Sequence, residues 1–305
     1  MSVGESSPRE RVAAYATLVR APNLFSAPPD VLLGAALVTT TGATVSFAAL
    51  VGLALASVLL YAGGTTLNDY FDAAIDATER PERPIPAGRV SRRAAGVLGG
   101  SLLVAGVALA FVAADLHAGS VAAALAATIA LYDGALKGGP VGFLAMGAAR
   151  GLNVLLGTTA AGTVALQRWT LAVPIVVAFY IALVTYMAAN EATDTPRGAV
   201  AAAAAGVVVA AAAVLVVVAT VGPPIVRGGL AVVLAAGFLA WTGRALEPAY
   251  ADPHPGTVGP AVGACVLALA LLDAAFAAIV GVAWSLATLA LLVPAVALAR
   301  VFDVS

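Results

Sequence analysis

The sequence predicts an all-α, polytopic membrane protein, a transmembrane helical bundle of nine or ten helices. Three observations carry that prediction. Hydrophobic residues make up 62% of the 305 residues and charged residues only 10%. Mean hydropathy is +1.01. Apolar runs of bilayer-crossing length recur along the whole chain. Soluble domains carry about 25% charged residues, so these charges are too few to cover a water-facing surface of this size. Disorder is excluded as well, because it needs low hydrophobicity and high net charge, and the formal net charge here is −1.

A run of about 17–25 apolar residues spans a bilayer as a helix. Such runs lie at 28–45, 47–69, 93–114, 119–134, 141–163, 169–190, 198–221, 226–246 and 257–279, with a tenth at 282–302. Residues 1–27 read as a cytoplasmic N-terminal segment and 28–305 as a single transmembrane domain. Met1 to Arg20 mixes Glu5, Arg9, Glu10, Arg11 and Arg20 without an apolar core, so no cleavable signal peptide is expected. With the N-terminus cytoplasmic, 12 of the 15 basic residues fall in cytoplasmic loops or termini. Only Arg168 and Arg227 face the other side, and Arg150 lies within a span. The positive-inside rule supports that orientation. The single Cys265 excludes an internal disulfide or a cysteine metal cluster. The charge balance gives no footprint for nucleic acid, and nothing points to an obligate protein partner.

Two acidic clusters carry the chemistry. Span two ends in Asn68-Asp69-Tyr70-Phe71-Asp72-Ala73-Ala74-Ile75-Asp76. Taking Asn68 as zero, a continued helix puts Asp69 near 100°, Asp72 near 40° and Asp76 near 80°. Three carboxylates on one face repel unless cations sit between them. Hard oxygen ligands of this kind suit Mg²⁺, which also binds phosphate oxygens. Span six ends in Asn190-Glu191-Ala192-Thr193-Asp194, repeating the spacing of an amide, an adjacent acid and another acid three further on. Both ends are cytoplasmic in this topology, so two acidic tips can face each other, each holding a metal ion. The bland alternative for either is a solvated cap at the membrane interface.

The loop from Tyr70 to Arg93 is the long charged one, and a long loop between embedded helices is a functional candidate. Within it, Arg80-Pro81-Glu82-Arg83-Pro84-Ile85-Pro86-Ala87-Gly88-Arg89 presents guanidinium groups on a proline-stiffened backbone, a suitable clamp for phosphate. Arg89, Arg92 and Arg93 also set topology. Lys137, after Tyr132-Asp133-Gly134-Ala135-Leu136, can neutralise a leaving diphosphate or simply snorkel to the interface. Arg150 and Asn153 lie inside span five, where an ionisable residue is expensive. They line a substrate pocket or pair with a nearby acid, Asp30 or Asp273. His117 and His254 lie far apart in sequence and are poor metal-ligand candidates.

The stretch Asn68-Asp69-x-x-Asp72-x-x-x-Asp76, followed by Arg80-Pro81-x-Arg83-Pro84-Ile85-Pro86-x-Gly88, resembles the first motif of the UbiA superfamily of intramembrane prenyltransferases. The surrounding hydropathy, the Tyr132/Lys137 loop and the acidic end of span six are similar to that family across nearly the whole chain. The resemblance implies nine helices around a central cavity open to the cytoplasm. It further implies that Asp69, Asp72 and Asp76 on one side, with Glu191 and Asp194 on the other, hold Mg²⁺ ions bridging a prenyl diphosphate. Asn68 and Asn190 would support the site, and Arg80, Arg83, Tyr132 and Lys137 would contact the diphosphate. The second motif departs from the family's pattern of Asp residues four apart: Gly198 stands four residues after Asp194. The Tyr132-to-Lys137 spacing is also one residue longer than usual.

The expected reaction is Mg²⁺-dependent transfer of a prenyl group from a polyprenyl diphosphate to an aromatic or hydroxyl-bearing, lipid-soluble acceptor in the membrane. Asp69, Asp72, Asp76 and Asp194 serve as its catalytic metal ligands. The wording of the first motif is most similar to branches with glycerophosphate-lipid or chlorophyll-like acceptors. A non-enzymatic isoprenoid or lipid carrier with a degenerate second site is the main alternative. A CDP-alcohol phosphotransferase is the other, but it needs Asp-Gly-x-x-Ala-Arg just before its Asp-x-x-x-Asp. Here Asp133-Gly134 comes after Asp72 and Asp76, in the wrong order.

Overall fold

The fold comes from a computed structural model that describes residues 7–189, 195–294 and 297. The elements in chain order begin with α1 (Pro8–Leu18), a 3₁₀ segment (Ala21–Ser26), α2 (Pro28–Thr39), α3 (Phe47–Glu79) and α4 (Arg92–Ala113). They continue with α5 (Leu116–Leu131), a π-turn (Tyr132–Leu136) and α6 (Pro140–Thr158). The last are α7 (Arg168–Ala188), α8 (Arg197–Val221), α9 (Ile225–Ala251), α10 (Pro255–Val280) and α11 (Val282–Ala290). Among the described residues, eight helices are long and apolar enough to cross a membrane. They correspond to the runs expected from 47–69 through 257–279.

The first expected span, 28–45, is different. Its α-helix has only 12 residues, about 18 Å at 1.5 Å per residue. Pro28 and Pro29 lack the N–H groups that would continue an α ladder from the preceding segment. The chain therefore crosses as a 3₁₀ segment of six residues joined to α2, together about 30 Å, enough to span the hydrocarbon core. The tenth run, 282–302, starts as α11, an apolar helix too short to span; most of its remainder lies outside the described residues.

Two further boundaries differ from expectation. Helix α3 runs 33 residues to Glu79, about 50 Å against a hydrocarbon core of about 30 Å. Its last turns therefore stand beyond the bilayer core and carry the acidic cluster. The expected loop from Tyr70 to Arg93 is helix over its first half, and only residues 80–91 connect α3 to α4. In the N-terminal segment, α1 buries Ala14 and Leu18 against Val90 and Ala95, so it seats on that connection rather than trailing free.

Two apolar clusters build the bundle, one within α3–α6 and one centred on α7–α10, and α2 and α6 serve both. Val31 and Ala35 face the first, while Leu33, Ala36 and Leu37 face the second. Where α2 meets α6 the backbones nearly touch, at Gly34 and Gly157. Small residues allow this, and in lipid such packing replaces the hydrophobic drive that water would give. Val104, Phe111, Val112 and Ile175 point outward and stay exposed, as a lipid-facing surface should.

Contacts across the ends fix the two sides. On one, Arg20 reaches Asp69 and Arg197 bonds the Ala251 carbonyl. On the other, Gln167 bonds the Thr40 carbonyl and Arg227 the Val280 carbonyl. Both α3 and α7 therefore end on the Asp69 side.

Candidate functional site

The site grows from the protruding end of α3. Residues seven apart return to within about 20° on a helix, so Asp69 and Asp76 lie on one face, two turns from each other. Both are buried. Their carboxylates converge on a single guanidinium nitrogen. Arg83 Nη1 lies 3.2 Å from Asp69 Oδ1, 3.0 Å from Asp76 Oδ1 and 2.8 Å from Asp76 Oδ2.

Arg83 is brought back over the helix by a compact connection. The N–H of Ala87 bonds the Arg83 carbonyl and that of Val90 the Pro84 carbonyl, while Gly88 takes φ 69°. A positive φ of this kind costs glycine little. Arg80 opens the connection with its N–H bonded to the Asp76 carbonyl at 2.9 Å.

A second cation arrives from the N-terminus. Arg20 Nη2 lies 3.4 Å from Asp69 Oδ1. Its backbone is left-handed, φ 49° and ψ 56°, a conformation that costs a non-glycine residue on the order of 1–3 kcal/mol. The turn is held by Arg20 N–H to the Thr17 carbonyl and Asn23 N–H to the Arg20 carbonyl. Asp72 pairs with Lys137, which the π-turn after α5 delivers. Asn68 donates to Asp133 Oδ1 at 3.0 Å. Arg92 donates to the Tyr70 carbonyl and stacks over its ring at 4.8 Å, which anchors the α4 start.

Of the residues expected at the site, the structure gathers Asn68, Asp69, Asp72, Asp76, Arg80, Arg83 and Lys137 around one end of α3, with Tyr132 in the adjoining π-turn. Asn190, Glu191 and Asp194 lie outside the described residues. Arg150 and Asn153 sit deeper. They bond Asp30 Oδ2 at 3.0 and 2.8 Å, and Ser57 Oγ donates to Asn153. Of the two acids considered as partners for Arg150, Asp30 is the one it bonds. Two site residues escaped sequence reasoning. Arg20 is 49 positions from its partner, and its only sequence signal is that it is the last basic residue before the first span. Asp133 adjoins Tyr132 in the very stretch singled out for Lys137.

Four carboxylates (Asp69, Asp72, Asp76 and Asp133) thus face three cationic side chains (Arg20, Arg83 and Lys137). A cation already stands between Asp69 and Asp76, so a hard divalent ion fits the charge and the all-oxygen donor set. Among the described residues no three Asp, Glu, His or Cys side chains form a cage for a metal. That is compatible with Mg²⁺, which usually takes one or two carboxylates together with waters and substrate phosphate.

The family model for the UbiA prenyltransferase family matches residues 31–254. Digeranylgeranylglyceryl phosphate synthase of Methanopyrus kandleri is 38% identical over 128 residues, 42% of this chain and 45% of that protein. The chain therefore spans under half the length of this curated relative. The apo structure of a UbiA homolog from Aeropyrum pernix K1 superposes with a TM-score of 0.64 at 20% identity, over 83% of this chain and 96% of the other. A UbiA homolog from Archaeoglobus fulgidus bound to DMAPP and Mg²⁺ gives 0.62 at 16% identity, over 90% and 99%. At these identities the two structures establish a shared helical fold.

Proposed function

Because the chain belongs to the UbiA prenyltransferase family, we propose that it moves a prenyl group from a prenyl diphosphate to the hydroxyl of a lipid-soluble acceptor within the membrane. The digeranylgeranylglyceryl phosphate synthase relatives favour a glycerophosphate lipid over an aromatic ring as that acceptor. One observation carries the reading: Asp69 and Asp76 converge on Arg83 at the protruding end of α3, with Asp72 and Lys137 paired beside them. Among the described residues, eleven basic residues in the N-terminal segment and at the loops and helix ends of this side, against Arg168 and Arg227 on the other, support a cytoplasmic site.

Asp69, Asp72 and Asp76 would hold Mg²⁺, with Glu191 and Asp194 as further expected ligands, and the bound ion would supply Lewis-acid neutralisation of the leaving diphosphate. The protein's own cations do the rest. Arg20, Arg80, Arg83 and Lys137 offer the diphosphate oxygens charge-assisted hydrogen bonds that strengthen as negative charge builds on the leaving group. The allylic carbon–oxygen bond breaks, and the delocalised cation is shielded from water by apolar helix faces. The acceptor oxygen bonds to the allylic carbon, and its proton passes to diphosphate or water.

The test uses the purified protein in nanodiscs with radiolabelled geranylgeranyl diphosphate and a prenylated glycerophosphate acceptor. Product should form only with Mg²⁺, and Asp72→Ala and Asp194→Asn should each abolish it. Full turnover in either variant would overturn its assignment as a metal ligand. Tight binding of the diphosphate without consumption would turn the reading into that of a carrier.

A further inference from the structure

Halfway down the bundle, far from the acidic end of α3, lies a polar node that the proposed reaction does not use. Ser57 of this node precedes Asp69 by 12 residues on α3, about 18 Å along the helix. Asp30 and Asp273 are each 0% exposed. Asp30 Oδ2 accepts from Arg150 at 3.0 Å and from Asn153 at 2.8 Å. Among the described residues, Asp30 Oδ1 and both oxygens of Asp273 accept from no side chain or backbone donor, although the Asp273 carboxyl lies within hydrogen-bonding reach of Asp30. Three buried oxygens with no donor, on two carboxyl groups that touch, are an acceptor-only arrangement. Two acceptors cannot bond to each other without a proton between them.

The charges lead to the same place. Among the described residues, the charged or titratable groups facing Asp273 are Asp30 on α2, Arg150 on α6 and Tyr180 on α7. Tyr180 is neutral and donates its hydroxyl proton to the Cys265 carbonyl. Arg150 balances one carboxylate and leaves the second uncompensated at bilayer depth, where a lone charge is costly. A buried water would satisfy hydrogen bonds but not that charge.

We infer that Asp30 and Asp273 form a buried proton-binding site, in which Asp273 is carried as a neutral carboxylic acid and donates its proton to Asp30 Oδ1. The node then has one guanidinium, one carboxylate and no net charge. It joins four helices: Arg150 and Asn153 of α6 bond the Ser26 and Ala27 carbonyls at the proline break before α2, Ser57 ties in α3, and the proton ties in α10.

The inference predicts an asymmetry between the two acids. Asp273→Asn keeps a donor to Asp30 without any charge, so its melting temperature in detergent should match that of the parent protein. Asp273→Val removes the donor and should melt lower. Infrared spectra at neutral pH should show one protonated-carboxyl carbonyl band that moves in D₂O and vanishes in Asp273→Asn. Absence of that band in the parent protein, or its survival in Asp273→Asn, would overturn the site. So would a melting temperature that rises with NaCl in the parent protein but not in Asp273→Asn, since a sodium ion would then hold the proton's place. Equal destabilisation by Asn and Val would also refute it. None of these readouts depends on prenyl transfer, so their failure leaves the proposed reaction standing.

Discussion

One nitrogen of Arg83 contacts both oxygens of Asp76, at 3.0 and 2.8 Å. The side chains are 18% and 5% exposed, so water screens their attraction poorly. The same nitrogen touches Asp69. Removing Arg83 takes away the cation that both buried carboxylates share and leaves Asp69 only its longer contact with Arg20, and breaking such a buried pair costs on the order of 3–5 kcal/mol. Arg83→Ala should therefore melt well below the parent protein in EDTA. Added Mg²⁺ should recover more stability in the variant than in the parent, because the carboxylates have lost their resident cation. Identical melting curves in EDTA would refute this account of the pairing.

Lys137 and Asp72 are paired too, yet their side chains are 35% and 16% exposed. Exposed ion pairs are worth about 0–1 kcal/mol. Lys137→Met should thus leave thermal stability nearly unchanged. The proposed role of its charge at the departing diphosphate predicts a larger effect on transfer, since removal of one such stabilising group typically costs about 10²–10³ in rate. Steady-state transfer and a melting curve on the same preparation separate the two effects. Unimpaired transfer would exclude Lys137 from the diphosphate site.

Asn68 donates to Asp133, which is 7% exposed. Asn68→Ala leaves that carboxylate short of a donor, a loss of about 1–3 kcal/mol. In an Asp133→Asn background the same substitution should cost much less. A double-mutant cycle on denaturation midpoints reads the coupling, and a value of zero would show that Asn68 acts on something other than Asp133.

The acidic cluster was legible in the sequence because one helical period writes it: positions 69, 72 and 76 share a face whatever surrounds them. Arg83 was legible as a charge in a proline-stiffened loop, but its seat between two carboxylates depends on how residues 80–91 fold back. Arg20 was not legible, since it reaches Asp69 through a left-handed turn and a helix docked 49 residues upstream. The first crossing was legible as apolar length, not as a 3₁₀ segment broken at Pro28-Pro29. Asp30 and Asp273 were visible as expensive groups, but periodicity within one helix carries no information about which helix lies alongside.

Gly34 and Gly157 mark the tightest approach between α2 and α6. A Cβ on Gly34 would sit 2.0 Å from the Val154 carbonyl oxygen, and one on Gly157 would sit 2.1 Å from that of Val31. The obstacles are backbone atoms of neighbouring helices, which cannot rotate aside as side chains do. Overpacking of this kind costs about 1–3 kcal/mol, sometimes more. Gly34→Ala and Gly157→Ala should each lower the melting temperature. Around Gly237 in α9, a Cβ would meet nothing within 4 Å, so Gly237→Ala should gain up to about 1 kcal/mol of helix propensity instead. If all three substitutions shift the melting temperature equally, backbone contact between α2 and α6 is not what those two glycines provide.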